Sequence, residues 1–259
     1  MGFAGNSPMM ETATVSFEHV AYEQIASFYD EAWIADVLFP VKSGKEATVY
    51  CCRAHPSRSH DYFALKLYKP LAHRTFRDDA VYQEGRFGRE TRAVRAMRKK
   101  TAKGRVFQFS NWIEHEFATL KMLFEAGADV PRPFAISANA ILLEFLGDGD
   151  RAAPPLSTVR LPPEQTGALL DQARRNIEIM LSRNVVHGDL SAYNVLYCGG
   201  RLSIIDFPQS VDPRFNANAR SLLGRDVANM CRYFARQGAV CDPDRLAERL
   251  WDRFMRAET

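Results

Sequence analysis

The segment HGDLSAYNVLY, residues 187–197, places a cluster of polar side chains between two apolar stretches. The valine pair before it and the Val-Leu pair near its end are typical of buried β-strands. A surface turn is the simplest interpretation, because Asp and Asn favour turns. A chemical interpretation is also open, because Asp189 and Asn194 lie five positions apart. A carboxylate and a carboxamide held on one rigid loop can bind a hydroxyl and a divalent cation, as phosphoryl transfer requires.

A second signal is LSIIDF, residues 202–207, a run of β-forming residues that ends on Asp206 and its phenylalanine. The Gly199-Gly200 pair before it predicts a hairpin turn. Such a hairpin would return Asp206 to the side of Asp189 and Asn194. Oxygen ligands of this kind suit Mg²⁺ when phosphate oxygens complete its coordination shell.

Lys66 is the third signal, since it lies within the predicted strand FALKLY, residues 63–68. Strand alternation points its amine inward, and a buried lysine needs a partner. Glu116, on a predicted helix, is the first candidate, because a strand lysine paired with a helix glutamate holds the α and β phosphates in protein kinases. Glu114 is the second candidate, and it lies on a different face of the helix.

Composition favours a folded globular protein, with 259 residues of which 46% are hydrophobic. No apolar run approaches the roughly 20 residues needed to cross a bilayer, and the N-terminus has no signal-peptide pattern. The five cysteines are odd in number and show no Cys-x-x-Cys spacing. We therefore expect a soluble, cytoplasmic protein without membrane association, whose cysteines are reduced thiols.

The first half of the chain has the pattern of an antiparallel sheet with one helix. Two turn signals separate the first three strands, as in a meander. The next helix is expected to begin at Ser110 or Asn111 and to end at Gly127, with Trp112 and Phe124 on its apolar face. An earlier helix is expected from about Phe17 to Tyr29. The predicted strands cover residues 33–41, 47–54, 62–68, 131–137 and 140–147.

The second half is predicted to be helical, with helices near residues 164–184, 219–237 and 244–255. Between the two halves, residues 74–105 carry eleven Lys or Arg and four Asp or Glu, a local net charge of +7 in a chain of net charge +3. A solvated, mobile surface segment explains this run. That is the more common explanation of a charge run, and the alternative is a basic arm that binds phosphates of RNA, of a ribosomal particle or of another anionic partner.

The chain resembles the RIO family of atypical serine/threonine protein kinases, in the branch whose nucleotide loop reads Ser-x-Gly-Lys-Glu-Ala-x-Val-Tyr. The resemblance runs collinearly over roughly residues 38–237, and so long a series of motifs is far more specific than any one of them. The matching segments are KSGKEATVY (42–50), FALKLYK (63–69), FRDDAVYQEGRF (76–87), WIEHEFATLKMLFEAGADVPRP (112–133), LLEFLG (142–147), HGDLSAYNVLY (187–197) and IIDFPQSV (204–211).

This resemblance implies ATP and Mg²⁺ (or Mn²⁺) as cofactors and assigns a role to each matching position. It makes Asp189 the catalytic aspartate and gives Asn194 and Asp206 to the metal. It also makes Asp206 a possible phosphate acceptor, so that the protein would work in part as an ATPase through an aspartyl phosphate. His187 would orient the loop. The residues implied in nucleotide binding are Ser43, Gly44, Lys45, Glu46, Ala47, Val49, Lys66, Glu116, Glu144, Phe145 and Leu146.

The expected fold is α+β and bilobal, like a protein kinase, with an antiparallel-sheet N-lobe and a helical C-lobe. Gly-x-Gly-x-x-Gly is absent, and only 53 residues follow Asp206. We therefore expect a reduced C-lobe without the peptide-docking subdomains. The predicted regions are an N-terminal extension and helix (1–30), an N-lobe containing the basic arm (31–147) and a C-lobe (148–259).

Two other functions remain open from the sequence. A small-molecule phosphotransferase of the aminoglycoside or choline kinase type also uses a His-Gly-Asp…Asn segment and an Ile-Asp pair. An ATP-switched module that binds RNA or a ribosomal particle would need the same nucleotide site. The primary interpretation is a serine/threonine protein kinase with an ATPase component.

Overall fold

The computed structural model describes residues 22–69, 102–149 and 151–256. The first part of the predicted N-terminal helix and residues 74–101 of the basic arm lie outside the described residues. The chain forms an α+β fold in two lobes, as predicted, with the antiparallel sheet in the first and most helices in the second. In chain order, the first elements are α1 (Tyr22–Asp30), β1 (Ile34–Ser43), β2 (Ala47–Ala54), β3 (Tyr62–Tyr68), α2 (Ala102–Glu125), β4 (Pro133–Ile136) and β5 (Ala140–Glu144).

The five strands form one antiparallel sheet in the order β1-β2-β3-β5-β4, which confirms the predicted meander and sheet. Alternation along β3 decides which face each side chain occupies. Phe63 and Leu65 are fully buried and pack with Ile25 and Phe28 of α1 on one face. Lys66 therefore projects from the opposite face, towards α2 and the second lobe.

Helix α2 begins eight residues earlier than the sequence indicated, so the prediction of a start at Ser110 or Asn111 is wrong. Serine and asparagine favour helix starts, but they are tolerated inside a helix when tertiary packing supports it. The predicted end is confirmed: Gly127 adopts a φ of 81°. The amides of Gly127 and Ala128 donate to the carbonyls of Phe124 and Leu123 at 3.0 Å, which is a Schellman cap.

Within residues 148–149 and 151–256, the second lobe contains three α-helices and small two-stranded elements. Asn184, with a φ of 56°, ends the first of these helices at the expected position. One apolar core extends through both lobes and includes Leu120 and Ile141 from the first and Ile177 from the second. The elements are β6 (Gly147–Asp148), β7 (Arg151–Ala152), a 3₁₀ turn (Leu156–Thr158), α3 (Pro163–Ser182), β8 (Val195–Cys198), β9 (Arg201–Ile204), α4 (Ala219–Arg236) and α5 (Pro243–Met255).

The cysteines differ in part from expectation. Cys51 and Cys52 are buried thiols, and Cys198 is a half-buried one. Cys231 of α4 and Cys241 form a disulfide with a Cα–Cα distance of 5.4 Å, so the prediction of reduced thiols throughout is wrong for this pair. The turn that reverses the chain between α4 and α5 brings the two sulfurs together, and sequence spacing alone does not show this. Among the described helices, none is both long and apolar enough to span a bilayer.

Candidate active site

Lys66 occupies the inner end of a cleft between the lobes and contacts two carboxylates. Its Nζ lies 2.6 Å from Oε1 of Glu116 and 2.7 Å from Oδ1 of Asp206. The Glu116 side chain is 1% exposed, and its Oε2 accepts a hydrogen bond from the hydroxyl of Tyr68. The predicted pairing with Glu116 is confirmed, whereas Glu114 lies exposed on another face of α2.

The charges of this cluster stabilise one another. Burial lowers the pKa of Lys66, but Asp206 and Glu116 outweigh burial and raise it above its ordinary value. Burial raises the pKa of Asp206, but the charge and hydrogen bond of Lys66, together with electrostatic interactions with His187 and Lys42, lower it by more in sum, so the net pKa is below the ordinary value. Lys66 and Asp206 are therefore an ammonium and a carboxylate at neutral pH.

The loop at residues 187–194 is held by its own side chains. His187 is buried, and burial lowers its pKa, so the imidazole is neutral at pH 7. Its Nε2 lies 3.1 Å from the carbonyl of Ile205, and its Nδ1 accepts the amide of Asp189 at 3.2 Å. The Nδ2 of Asn194 donates to Asp189 Oδ2 at 3.1 Å and to its carbonyl at 2.9 Å. His187 thus orients the loop, and Asn194 orients Asp189.

Asp206 reaches the loop through the predicted β8–β9 hairpin, whose turn is Gly199-Gly200 with φ values of 56° and 78°. The amide of Ile205 donates to the carbonyl of Asn194 at 2.9 Å, which places Asp206 beside it. Asp206 has a φ of 72°, in the left-handed region that costs a non-glycine residue about 1–3 kcal/mol. Its side chain is 42% exposed and faces the cleft.

Asp226 of α4 supports the loop from below, and sequence reasoning missed it. Its two carboxylate oxygens accept the amides of Gly188 and Leu190 at 2.8 and 2.9 Å. Burial, opposed by these two donors, raises the pKa of Asp226 to about 7. Arg225 donates to the carbonyl of Gly188. The signal in the sequence was a carboxylate on the apolar stripe of a predicted helix, next to Val227.

The cleft is a cavity of about 760 Å³ between the sheet and the second lobe. Two predicted site residues, Ser43 and Asn194, do not line it. The predicted residues that line it are Gly44, Lys45, Glu46, Ala47, Val49, Lys66, Glu116, Glu144, Phe145, Leu146, Asp189 and Asp206. Lining residues that sequence reasoning missed include Val41, Lys42, Ala64, Leu143, Leu196 and Ile205. Strand alternation could have found Ala64, because it lies two positions before Lys66.

The β1–β2 loop closes one side of the cleft. The amide of Gly44 donates to the carbonyl of Ala47 at 2.9 Å, which forms the turn. Ser43 Oγ lies 3.1 Å from Thr48 Oγ1, and Lys69 Nζ donates to the Gly44 carbonyl at 2.6 Å. The loop departs from the Ser-x-Gly pattern of the branch it resembles, since Lys42 occupies the position of that serine.

A five-stranded antiparallel sheet, a helix glutamate on a strand lysine, and an Asp…Asn loop beside a second aspartate define the protein-kinase-like fold class. The chain matches the family model described as the RIO domain over residues 48–246. It therefore belongs to the RIO family. Its fold is similar to that of the Rio2 kinase-ADP/Mg²⁺-phosphoaspartate complex from Chaetomium thermophilum, with a TM-score of 0.62, 21% identity, and coverage of 92% of this chain and 70% of that one.

Curated relatives agree with this assignment. The chain is 33% identical over 232 residues to the RIO-type serine/threonine-protein kinase Rio1 of Haloferax volcanii, covering 90% of this chain and 74% of that protein. It is 33% identical to the serine/threonine-protein kinase RIO1 of Chaetomium thermophilum, covering 82% and 42%. The human serine/threonine-protein kinase RIO1 is 30% identical, covering 77% and 33%. The chain thus spans less than half the length of these two eukaryotic relatives.

Proposed function

We propose that this chain is an ATP-dependent RIO-type serine/threonine protein kinase. The observation that carries the proposal is the joint engagement of Lys66 by Glu116 and Asp206 at the inner end of a cleft that also exposes Asp189. The names of the curated relatives support it, and the comparisons do not favour a small-molecule phosphotransferase.

In this proposal, ATP lies along the cleft with its base at the outer end. Val49, Ala64 and Leu196 would contact the base, which stacks well on apolar side chains. The backbone amides and carbonyls of residues 144–146 would form hydrogen bonds with the polar edge of the base. Lys66 would bind the α and β phosphates, and the β1–β2 loop would cover them with backbone amides.

Asn194 and Asp206 fit a divalent cation of the Mg²⁺ or Mn²⁺ type, because both carry hard side-chain oxygens and flank the open end of the β8–β9 hairpin. In the described part of the chain, no cluster of three or more His, Cys, Asp or Glu side chains could hold a metal alone. This suits a cation whose coordination shell is completed by phosphate oxygens. When bound, such a cation neutralises charge on the phosphates.

Asp189 would act on the acceptor hydroxyl, which loses its proton to the carboxylate as its oxygen bonds to the γ-phosphorus. The bond from that phosphorus to the bridging oxygen of ADP breaks in the same displacement. Asn194 holds Asp189 in place for this role. We expect Asp206→Ala to weaken metal–nucleotide binding itself, whereas Asp189→Asn leaves binding largely intact.

Asp206 is a second possible acceptor. Its side chain is 42% exposed in the cleft and its Oδ1 bonds to Lys66 at 2.7 Å, so Oδ2 would be the attacking oxygen. Attack by this oxygen on the γ-phosphorus would release ADP and leave an acyl phosphate for water to hydrolyse. The structural relative from Chaetomium thermophilum carries a phosphoaspartate. An ATPase component of this kind is part of the proposal.

The test is to incubate the protein with γ-labelled ATP, Mg²⁺ and a generic protein acceptor, and to locate the label. Label on Ser or Thr, stable to hydroxylamine, supports the protein kinase. Hydroxylamine-labile label that is lost in Asp206→Asn supports the aspartyl phosphate. Absence of ATP turnover, together with an unchanged melting curve in millimolar MgATP, would refute the nucleotide function.

Three further points belong to the proposal. The lobe boundary near residue 147 separates an N-lobe (31–147) from a C-lobe (148–259). The basic run at 74–105 binds an anionic partner such as RNA or a ribosomal particle, and its charge of +7 supports this. A cytoplasmic location fits the function.

A further inference from the structure

Asp129, in the turn between α2 and β4, carries a carboxylate that is 10% exposed and surrounded by donors. Its Oδ2 accepts from Arg175 at 2.9 Å and from Asn176 at 2.8 Å, and its Oδ1 accepts from Arg201 at 2.8 Å. Burial raises the pKa of Asp129, but the hydrogen bonds from Gln172, Asn176 and the two arginines together lower it by more. The net pKa is therefore below the ordinary value. Asp129 is therefore ionised at neutral pH.

The backbone amide and carbonyl of Asp129 are hydrogen-bonded as well as its side chain. Its amide donates to Oδ1 of the fully buried Asn176 at 2.6 Å, and its carbonyl accepts the amide of Ile204 at 2.8 Å. Gln172 fixes the same hairpin from α3, since it donates to the Leu202 carbonyl at 3.2 Å and accepts the Leu202 amide at 3.1 Å. One residue thus joins α3, the β8–β9 hairpin and the end of α2.

Two of the elements joined at Asp129, helix α2 and the β8–β9 hairpin, lead to the partners of Lys66. Asp129 follows directly on the capped end of α2, the helix that carries Glu116. Ile204 is the last residue of β9, two positions before Asp206. The chain segments of α2 and β9 are therefore linked twice, once through Lys66, which bridges Glu116 and Asp206, and once through Asp129, which does not line the cleft.

We propose that Asp129 is a positioning residue for phosphoryl transfer, which fixes Asp206 relative to Glu116 by tying β9 to the end of α2. A purely local stabilising role is the alternative. The exposure of the two arginines, 55% and 72%, argues against it, because exposed ion pairs contribute little stability each. The five hydrogen bonds of Asp129 therefore fix the relative positions of α3, the β8–β9 hairpin and the end of α2 more than they add to stability. This inference rests on the proposed nucleotide function.

The experiment compares Asp129→Asn with Asp171→Asn, a control in which an exposed aspartate of α3 loses its ion pair with Arg174. Affinities for MgATP and for adenosine are measured by calorimetry, at a temperature where melting curves show both variants folded. Adenosine reports the base subsite alone. We expect Asp129→Asn to weaken MgATP binding and to lower turnover, each by about tenfold, and to leave adenosine affinity within about twofold. The control should change none of these.

Arg201→Gln is the second variant, because the Arg201 side chain is exposed and its replacement leaves no buried cavity. This substitution removes only the side-chain ion pair between Asp129 and the β8–β9 hairpin. It should show the same split between MgATP and adenosine with a smaller loss. A lower melting temperature with MgATP affinity and turnover within twofold of the wild type would overturn the inference. Equal weakening of adenosine and MgATP would also overturn it. If the wild type itself neither binds nor turns over MgATP, the proposed function fails instead.

Discussion

The ion pair between Lys66 and Glu116 makes a quantitative prediction about stability. Glu116 is 1% exposed, and its Oε1 lies 2.6 Å from Lys66 Nζ. Breaking a buried pair by removing one partner costs about 3–5 kcal/mol when the other charge is left alone. Lys66 retains Asp206 at 2.7 Å in a Glu116→Gln variant, and glutamine can still bond to Tyr68. We therefore expect a smaller loss, about 2 kcal/mol, which is typical of a hydrogen bond to a charged group.

A double-mutant cycle isolates the pair from the other effects of each substitution. The free energy of unfolding is measured by urea titration of the wild type, Glu116→Gln, Lys66→Met and the double variant, without nucleotide, because a bound ligand adds its own stability. The expected coupling energy is about 1.5–3 kcal/mol. Glu114→Gln, a neutralisation two residues away on the exposed face of the same helix, should change stability by less than about 0.5 kcal/mol.

A coupling energy below about 0.5 kcal/mol would refute this reasoning, since that is the level of an exposed surface pair. It would mean that Glu116 does not hold Lys66 when the cleft is open to water. A loss in Glu114→Gln as large as that in Glu116→Gln would refute it as well.

Three other predictions concern the cleft and its supports. Asp189→Asn should lower turnover by about 10²–10⁴-fold, the usual contribution of a general base, while MgATP affinity in calorimetry stays within about threefold. Lys42→Ser should weaken ATP binding about tenfold and ADP binding much less, because Lys42 lines the cleft and its charge helps lower the pKa of Asp206. Equal losses of affinity for both nucleotides would contradict this. Asp226 has a folded pKa of about 7, above the ordinary 3.8 of the unfolded chain. The unfolded state therefore releases its proton first, and stability should fall as pH rises from about 4 to about 7 and then level off. Urea titrations should show that Asp226→Asn removes this slope.

Much of the fold could be predicted, because its elements carry local signals. The three strands of the meander were bounded by turn residues, and Gly127 and Asn184 end their helices with positive φ. The start of α2 could not be predicted, because the residues that precede Ser110 have neither a strong cap nor a clear apolar period. Its apolar face was also misjudged in part, because Phe124 was placed on that face and is 37% exposed.

The chemical side chains of the site were predictable, whereas their supports were not. Lys66, Asp189 and Asp206 belong to motifs with a fixed spacing, and a buried charge implies a partner. No motif gave a role to Asp129 or Asp226. Their importance comes from contacts with residues far away in the chain, between Asp226 and Gly188, for example, which only the folded structure brings together.

The two partners of Lys66 have a consequence for the order of events in the open cleft. Lys66, Glu116, Asp206 and Asp189 together carry a formal charge of −2. This negative charge would repel a polyphosphate that approached without a metal. Lys66, which would bind the phosphates, is already paired with Glu116 and Asp206. Under the proposed function, we expect nucleotide entry to be an exchange of cations, in which the metal bound to the nucleotide would replace the Lys66 ammonium at Asp206. On the same basis, we expect the site to bind metal-free nucleotide more weakly than the metal complex.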